Sequence, residues 1–405
     1  MGAGFKLLNN WLKTCIQGGS YSWPTIGSSA MMRDEVWVKR GQSCLLFSFS
    51  SQFDSKLHET SIDECMPCFV DLTKTLTTMR TNEISDAMER YAKTLIYNVP
   101  RGKKIRVRAT VTAYKLLESA ERLTPENLRL AHIIGWCIEM MNAAILIEDD
   151  IMDASLMRRG APCWYLVEGI GMRALTDASL IENSVYDILK THFSNQKCYI
   201  HLVELFRLVM YFTGLGQALD TLRPATKNGR CDLDFYSEDK YKNIVKYKTH
   251  YYTCEFPVRV ALYLTGKLNH EEFKPHFDVL FEMSYFFQLQ NDFLDCFGNS
   301  GITGKEGTDI QEGKCTWLIM TAVRRANASQ RRALSENYGK RNTESVRIVR
   351  NLYEELMIPK TYFALEDNVS NLIYKRTREV SNALPDFLIY KMKDMMCKKV
   401  SNYTD

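Results

Sequence analysis

From about residue 63 onward, apolar residues recur three and four positions apart, the spacing of one face of an α-helix. The pattern predicts helices over 84–97, 106–122, 128–152, 177–193, 199–222 and 236–264. It continues over 271–297, 315–325, 330–338, 344–356, 362–384 and 386–400. Interruptions coincide with Asn98-Val99-Pro100-Arg101-Gly102, with Arg159-Gly160-Ala161-Pro162 and with 298–307, where Pro and Gly break helices. Alternation of period two, the mark of strands, is nearly absent, and no internal repeat stands out. The fold class expected is therefore all-α, a single large helical bundle with its site on facing helices. The bundle is expected over 51–400, after an N-terminal extension (1–50) and before a short tail (401–405).

Composition narrows the reading. With 45% hydrophobic and 25% charged residues the chain has the make-up of a globular protein. A net charge of +4 over 405 residues gives no case for nucleic acid. The most apolar stretch, 131–147, is broken by His132, Glu139 and Asn142, so it reads as a buried helix and no membrane span is expected. Twelve cysteines without a framework suggest reduced thiols and a cytoplasmic location. The pair Cys65 and Cys68 stands alone, without the second pair that a zinc site needs. Residues 1–50 mix basic residues, Ser and aromatics, which leaves mitochondrial targeting as the alternative.

The chemistry lies in two acidic helix signatures about 140 residues apart. The first is Asp149-Asp150-Ile151-Met152-Asp153, followed by Arg158 and Arg159; the second is Asn291-Asp292-Phe293-Leu294-Asp295, followed by Lys305 and Lys314. Carboxylates three or four apart share a helix face and repel unless a cation sits between them. Each signature closes an apolar helix, Ala143-Ala144-Ile145-Leu146-Ile147 before the first and Phe286-Phe287-Gln288-Leu289-Gln290 before the second. That arrangement predicts a pocket with an apolar floor and a metal-bearing mouth. Mg²⁺ held by a few carboxylates takes its remaining ligands from substrate phosphates. Lys103, Arg106, Arg158, Arg159, Lys248, Lys305 and Lys314 cluster in or beside the loops at these helix ends and suit a diphosphate. A prenyl diphosphate, with its hydrocarbon tail and anionic head, has the matching shape.

Five segments carry a resemblance: DDIMDASLMRRGAPCWY (149–165), GQALD (216–220), YKT (247–249), FQLQNDFLDCFG (287–298) and GKEGTDIQEGK (304–314). In this order and spacing the chain resembles the trans-isoprenyl diphosphate synthases over roughly 50–400. The resemblance implies the isoprenoid synthase fold with a central active-site cavity, a Mg²⁺ requirement of about three ions per site and a homodimer. It implies metal ligation by Asp149, Asp150, Asp153, Asn291, Asp292 and Asp295. Arg158, Lys248 and Lys305 match residues that hold the allylic diphosphate, with Lys314 beside them. Lys103, Arg106 and Arg159 match those that bind isopentenyl diphosphate. Thr249 and Gln288 match groups beside the reacting carbon.

The departures from the family pattern set the functional expectation. Asn291 stands where the synthases carry Asp, and an opening Asn also resembles the NDxxSxxxE motif of class I terpene synthases. The family's GGKxNRG turn is here Arg101-Gly102-Lys103-Lys104-Ile105-Arg106-Val107, with two glycines lost and the backbone stiffened. Asn142 is shorter than the family's Gln or His. Ala144 and Ile145, five and four before Asp149, fall where animal farnesyl synthases place bulky aromatics, which predicts a deeper floor. Phe212, Tyr252, Phe286 and Phe287 are candidate aromatic faces for a travelling cation. The expectation is a Mg²⁺-dependent class I terpene synthase that ionises farnesyl diphosphate to a sesquiterpene and releases diphosphate. Its alternative is a prenyl diphosphate synthase that condenses isopentenyl diphosphate with an allylic diphosphate. A non-catalytic subunit of a prenyl synthase dimer is the third reading.

Overall fold

The structure, a computed structural model, describes residues 60–78, 84–267, 271–304, 307–380, 383–397 and 400. The expected extension, the tail and Lys305 lie outside the described residues. Fourteen α-helices of seven residues or more carry the chain among those described. They are α1 (Ile62–Thr78), α2 (Ser85–Asn98), α3 (Ile105–Leu117), α4 (Pro125–Met152), α5 (Ala174–Phe193) and α6 (Tyr199–Thr221). There follow α7 (Glu238–Ile244), α8 (Phe256–Leu264), α9 (Lys274–Phe297), α10 (Trp317–Arg325), α11 (Ala328–Asn337), α12 (Thr343–Glu355), α13 (Ile358–Glu379) and α14 (Asp386–Met396). The all-α expectation holds; the strands described are two-residue pairs, β1–β2 (Met157–Arg158 with Ala161–Pro162) and β3–β4 (Thr226–Lys227 with Arg230–Cys231).

Helix α4 is the axis of the bundle, with α5, α3 and α1 packed around it. Its start follows from local chemistry: Thr124 caps the Asn127 amide at 3.3 Å and Pro125 occupies the first turn. Trp136 is fully buried on α4, and its indole N–H donates to the Cys65 carbonyl at 2.8 Å. That bond ties α1 to the axis. The lone Cys pair thus serves as core packing, and the ten described cysteines all carry free thiols. Helices α4 and α6 are long and apolar enough to cross a membrane by length and composition alone, but α4 lies almost wholly inside the bundle.

The predicted helix over 236–264 is one continuous rod with an irregular centre. Between α7 and α8 the stretch Val245–Glu255 is π-helical. π-Helix is rare and concentrates at functional sites. Its wider turn packs against α6 on one side and α9 on the other. Gly216 of α6 makes this approach possible, since a Cβ there would sit 2.1 Å from the Lys248 backbone nitrogen.

Candidate active site

The end of α4 delivers Asp149 and Asp153 to a cleft of about 990 Å³, which Asp220, Lys248, Thr249, Asn291, Asp292, Asp309 and Lys314 also line. Asp149 accepts from Gln217 Nε2 at 2.7 Å, from Lys248 Nζ at 3.2 Å and from Arg158 Nη2 at 3.2 Å. Burial pushes its carboxyl up, but Lys248, Lys314 and Arg158 outweigh burial and hold it far below the carboxylate range. Lys248 Nζ also donates to Asp220 at 2.5 Å. Lys314 Nζ binds Asp153 and lies 3.7 Å from Asp220 and 3.6 Å from Asp309. Lys314 is buried and Lys248 half-buried, yet the surrounding carboxylates raise both ammonium groups above the ordinary lysine value.

After α4 the chain reverses through β1–β2. Arg159 (φ 55°) and Gly160 (φ 73°) form its two-residue turn, the positive pair that matches strand twist. The turn sends neighbouring arginines to different tasks. Arg158 binds Asp150 through Nε at 2.8 Å and reaches Asp149, whereas Arg159 Nη1 donates to the Asn98 carbonyl at 3.1 Å. Asp150 therefore faces a smaller side pocket with Ala143, Leu146 and Ile147, not the main cleft. The predicted floor residues Ala144 (buried) and Ile145 (half-buried) line neither this pocket nor the two clefts.

From α9, Asn291 and Asp292 reach the main cleft. Asp292 accepts from Tyr241 Oη at 2.8 Å, Gln288 Nε2 at 2.8 Å and the Trp317 amide at 2.9 Å. Burial pushes its carboxyl up to about 7, against the lowering effect of those hydrogen bonds. Thr249 Oγ1 donates to Gln288 Oε1 at 2.7 Å, so the amide is oriented from both ends. Asp295 is turned away from the cleft; its Oδ1 accepts the Asp309 amide at 2.9 Å. The returning chain passes close to it at Gly307, where a Cβ would meet the Asp295 carbonyl at 1.7 Å.

A second cleft of about 1380 Å³ opens beside the first, lined by Lys103, Lys104, Arg106, Glu139, Arg159 and the 301–304 turn. Phe287 and Asn291 line both clefts and form their common wall. Arg106 Nη2 donates to Thr253 Oγ1 at 2.7 Å, and its guanidinium carbon sits 4.3 Å from the centre of the Tyr252 ring. Asn142 is buried, with Nδ2 unpartnered among the described residues.

The predicted residues that reach the two clefts separate into two groups. Asp149, Asp153, Arg158, Lys248, Thr249, Phe287, Gln288, Asn291, Asp292 and Lys314 converge on the first cleft; Lys103, Arg106 and Arg159 converge on the second. Sequence reasoning missed Asp220, Asp309, Gln217, Tyr241, Glu139 and Lys104 as site residues. Asp220 ends the GQALD segment and could have been found; Glu139 and Lys104 carried no motif signal. The acidic groups outnumber the cations of the first cleft, yet among the described residues no three form a closed metal cage. Hard oxygen donors with excess negative charge and an open side fit Mg²⁺, which keeps positions for phosphate oxygens.

A family model described as polyprenyl synthetase matches residues 88–356. The chain belongs to the polyprenyl synthetase family. Similar polyprenyl synthetases include the farnesyl pyrophosphate synthase of Murgantia histrionica, 41% identical over 320 residues that cover 79% of this chain and 78% of the relative. That of Gallus gallus is 41% identical over 318 residues, covering 78% and 86%, and that of Homo sapiens 36% over 354 residues, covering 87% and 84%. Among solved structures, the T. brucei farnesyl diphosphate synthase complexed with risedronate superposes with a TM-score of 0.74 at 29% identity. The match covers 83% of this chain and 99% of that one. The isoprenoid synthase fold is therefore the fold of this polyprenyl synthetase. Its family is magnesium-dependent. The comparisons correct the terpene synthase expectation: these relatives are synthases of farnesyl diphosphate, and the lyase reading has no support among them.

Proposed function

We propose that this polyprenyl synthetase is a Mg²⁺-dependent farnesyl diphosphate synthase, condensing isopentenyl diphosphate with an allylic diphosphate. The observation that carries the reading is the pair of cation-lined clefts divided by one wall, Phe287 and Asn291. A single diphosphate leaves the second cleft without a purpose; two diphosphates use both.

In the first cleft Arg158 and Lys248 exchange part of their carboxylate contacts for the allylic diphosphate. Asp149, Asp153, Asn291 and Asp292 hold the Mg²⁺ ions, about three when the diphosphate is present. Bound there, Mg²⁺ supplies the positive charge that a departing diphosphate needs. Lys314 keeps Asp153, Asp220 and Asp309 together around that charge. The allylic carbon–oxygen bond breaks and leaves a cation, which the Thr249 hydroxyl oxygen and the Gln288 carbonyl flank as fixed negative dipole ends. Phe287 supplies an apolar wall that keeps water from the cation.

In the second cleft Lys103, Arg106 and Arg159 bind the isopentenyl diphosphate and direct its double bond across the common wall. The new carbon–carbon bond forms there from the electron pair of that double bond, and the resulting cation gives a proton to the released diphosphate, which restores a double bond. Twofold use of the chain completes the reading: α6 exposes Leu208, Tyr211 and Leu215, three or four residues apart on one face, a surface suited to a second copy.

The test is product analysis. Purified protein with Mg²⁺, isopentenyl diphosphate and dimethylallyl diphosphate should give farnesol after dephosphorylation and gas chromatography with mass spectrometry. No prenyl alcohol longer than the starting one would sink the proposal.

A further inference from the structure

The second cleft holds a carboxylate that works against its purpose. Glu139 is fully buried on α4, beside the cations that receive the second diphosphate. Its Oε1 accepts the Arg106 amide at 2.9 Å and the Val107 amide at 3.4 Å. Those are the second and third residues of α3, so Glu139 supplies from α4 the cap that α3 lacks at its own N-terminus, Lys104. The role suits an anion, but a buried carboxylate seeks a cation as well. Three surround it: Lys104, Arg106 and Arg159.

Lys104 is the one that takes it. The backbone there is left-handed (φ 49°), unusual for lysine, and this turns the side chain inward until it is 1% exposed. Its Nζ lies 3.3 Å from Glu139 Oε2. With Glu139 engaged, Arg106 contacts Thr253 and Tyr252, and its buried Nε has no partner among the described residues. Both contacts are to neutral groups, so the charge of Arg106, which lines the second cleft, is not committed to a carboxylate.

We infer that Lys104 is a positioning residue that occupies Glu139, so that Arg106 and Arg159 stay available for the second diphosphate. The inference rests on the two-substrate reading of the site. Without Lys104, Glu139 draws Arg106 or Arg159 to itself, and binding in the second cleft weakens while the first is untouched.

Two variants and a pH series test this, with isopentenyl diphosphate binding measured by calorimetry. Lys104→Met should weaken that binding roughly tenfold or more, with KM for the allylic diphosphate unchanged. Adding Glu139→Gln should restore it, because the amide still accepts the α3 amides but no longer competes for arginine. A purely structural role predicts the opposite, a double variant at least as impaired as the single one. The charged groups facing Lys104 are Glu139 on α4, Arg106 on α3 and Arg159 in the β1–β2 turn. Burial brings its ammonium down to about 8, so it loses its proton as pH rises through that value. Wild-type binding should therefore weaken above pH 8, and the double variant should not follow. Unchanged affinity in Lys104→Met, or a double variant as weak as the single, overturns the inference. Wild-type turnover is scored separately: no condensation product refutes the two-substrate reading, whereas the ratio of affinities judges Lys104.

Discussion

At the scale of single residues, the direction of each carboxylate matters more than its presence in a motif. Asp149 and Asp153 are four apart and share a face; Asp150 is about 100° further round the helix and serves Arg158 instead. Asp149 is the junction, joined to Gln217, Lys248 and Arg158. Asp149→Ala should lower Mg²⁺-dependent turnover by at least about a hundredfold, read as diphosphate release; retained turnover would remove Asp149 from the metal set. Much of this cluster was legible in the sequence, because apolar runs ending in acid and basic residues at the next break report a polar mouth over an apolar floor. The Lys104–Glu139 pair was not legible, since 35 residues separate its members and only tertiary packing brings them together. Val107 illustrates the same limit. The loss of the family's glycine there reads as a stiffened loop, but the structure sets Val107 against Gly135 of α4, where a Cβ would lie 2.9 Å from Val107 Cγ2. A glycine missing from one element is answered by a glycine on its neighbour.

At the scale of elements, the π-helical stretch binds the two clefts into one site. It carries Lys248 and Thr249 to the first and Tyr252 and Thr253 to Arg106 in the second. The 3.6-residue pattern predicted a helix here but could not predict its wider turn, which depends on what packs alongside. Buried polar groups help hold it: His250 bonds Ser284 of α9 at 3.0 Å and Glu255 at 2.9 Å, and Glu255 also pairs with Arg259. The close approach at Gly216 is the other constraint. Gly216→Ala places a methyl against backbone, not against a yielding side chain, so relief requires α6 and the π stretch to separate. We expect a loss of ~1–3 kcal/mol in unfolding free energy, together with a fall in kcat larger than that of an equally destabilising change elsewhere in the core. Wild-type stability and turnover in this variant would show that the two helices are not in fact so close.

At the scale of the whole molecule, α6 connects the exposed apolar surface to the chemistry. Its inner face holds Leu202, Phe206 and Val209 in the core and ends in Gln217 and Asp220, the partners of Asp149 and Lys248. Its outer face presents Leu208 (48% exposed), Tyr211 (64%) and Leu215 (41%), three or four residues apart, a continuous apolar stripe. Water is a poor neighbour for so many large apolar groups in one place, and a second copy related by a twofold axis would cover them with the same stripe. Leu208→Glu combined with Tyr211→Glu puts charges into that contact, facing their own counterparts across the axis. Sedimentation should then shift from dimer to monomer. Because α6 also carries Gln217 and Asp220, the monomer should turn over more slowly, with the loss in kcat and KM for the allylic substrate little changed. A wild-type protein that sediments as a monomer would sink the dimer, and a double variant that is monomeric yet fully active would confine the interface to stability and free α6 of any part in setting the first cleft.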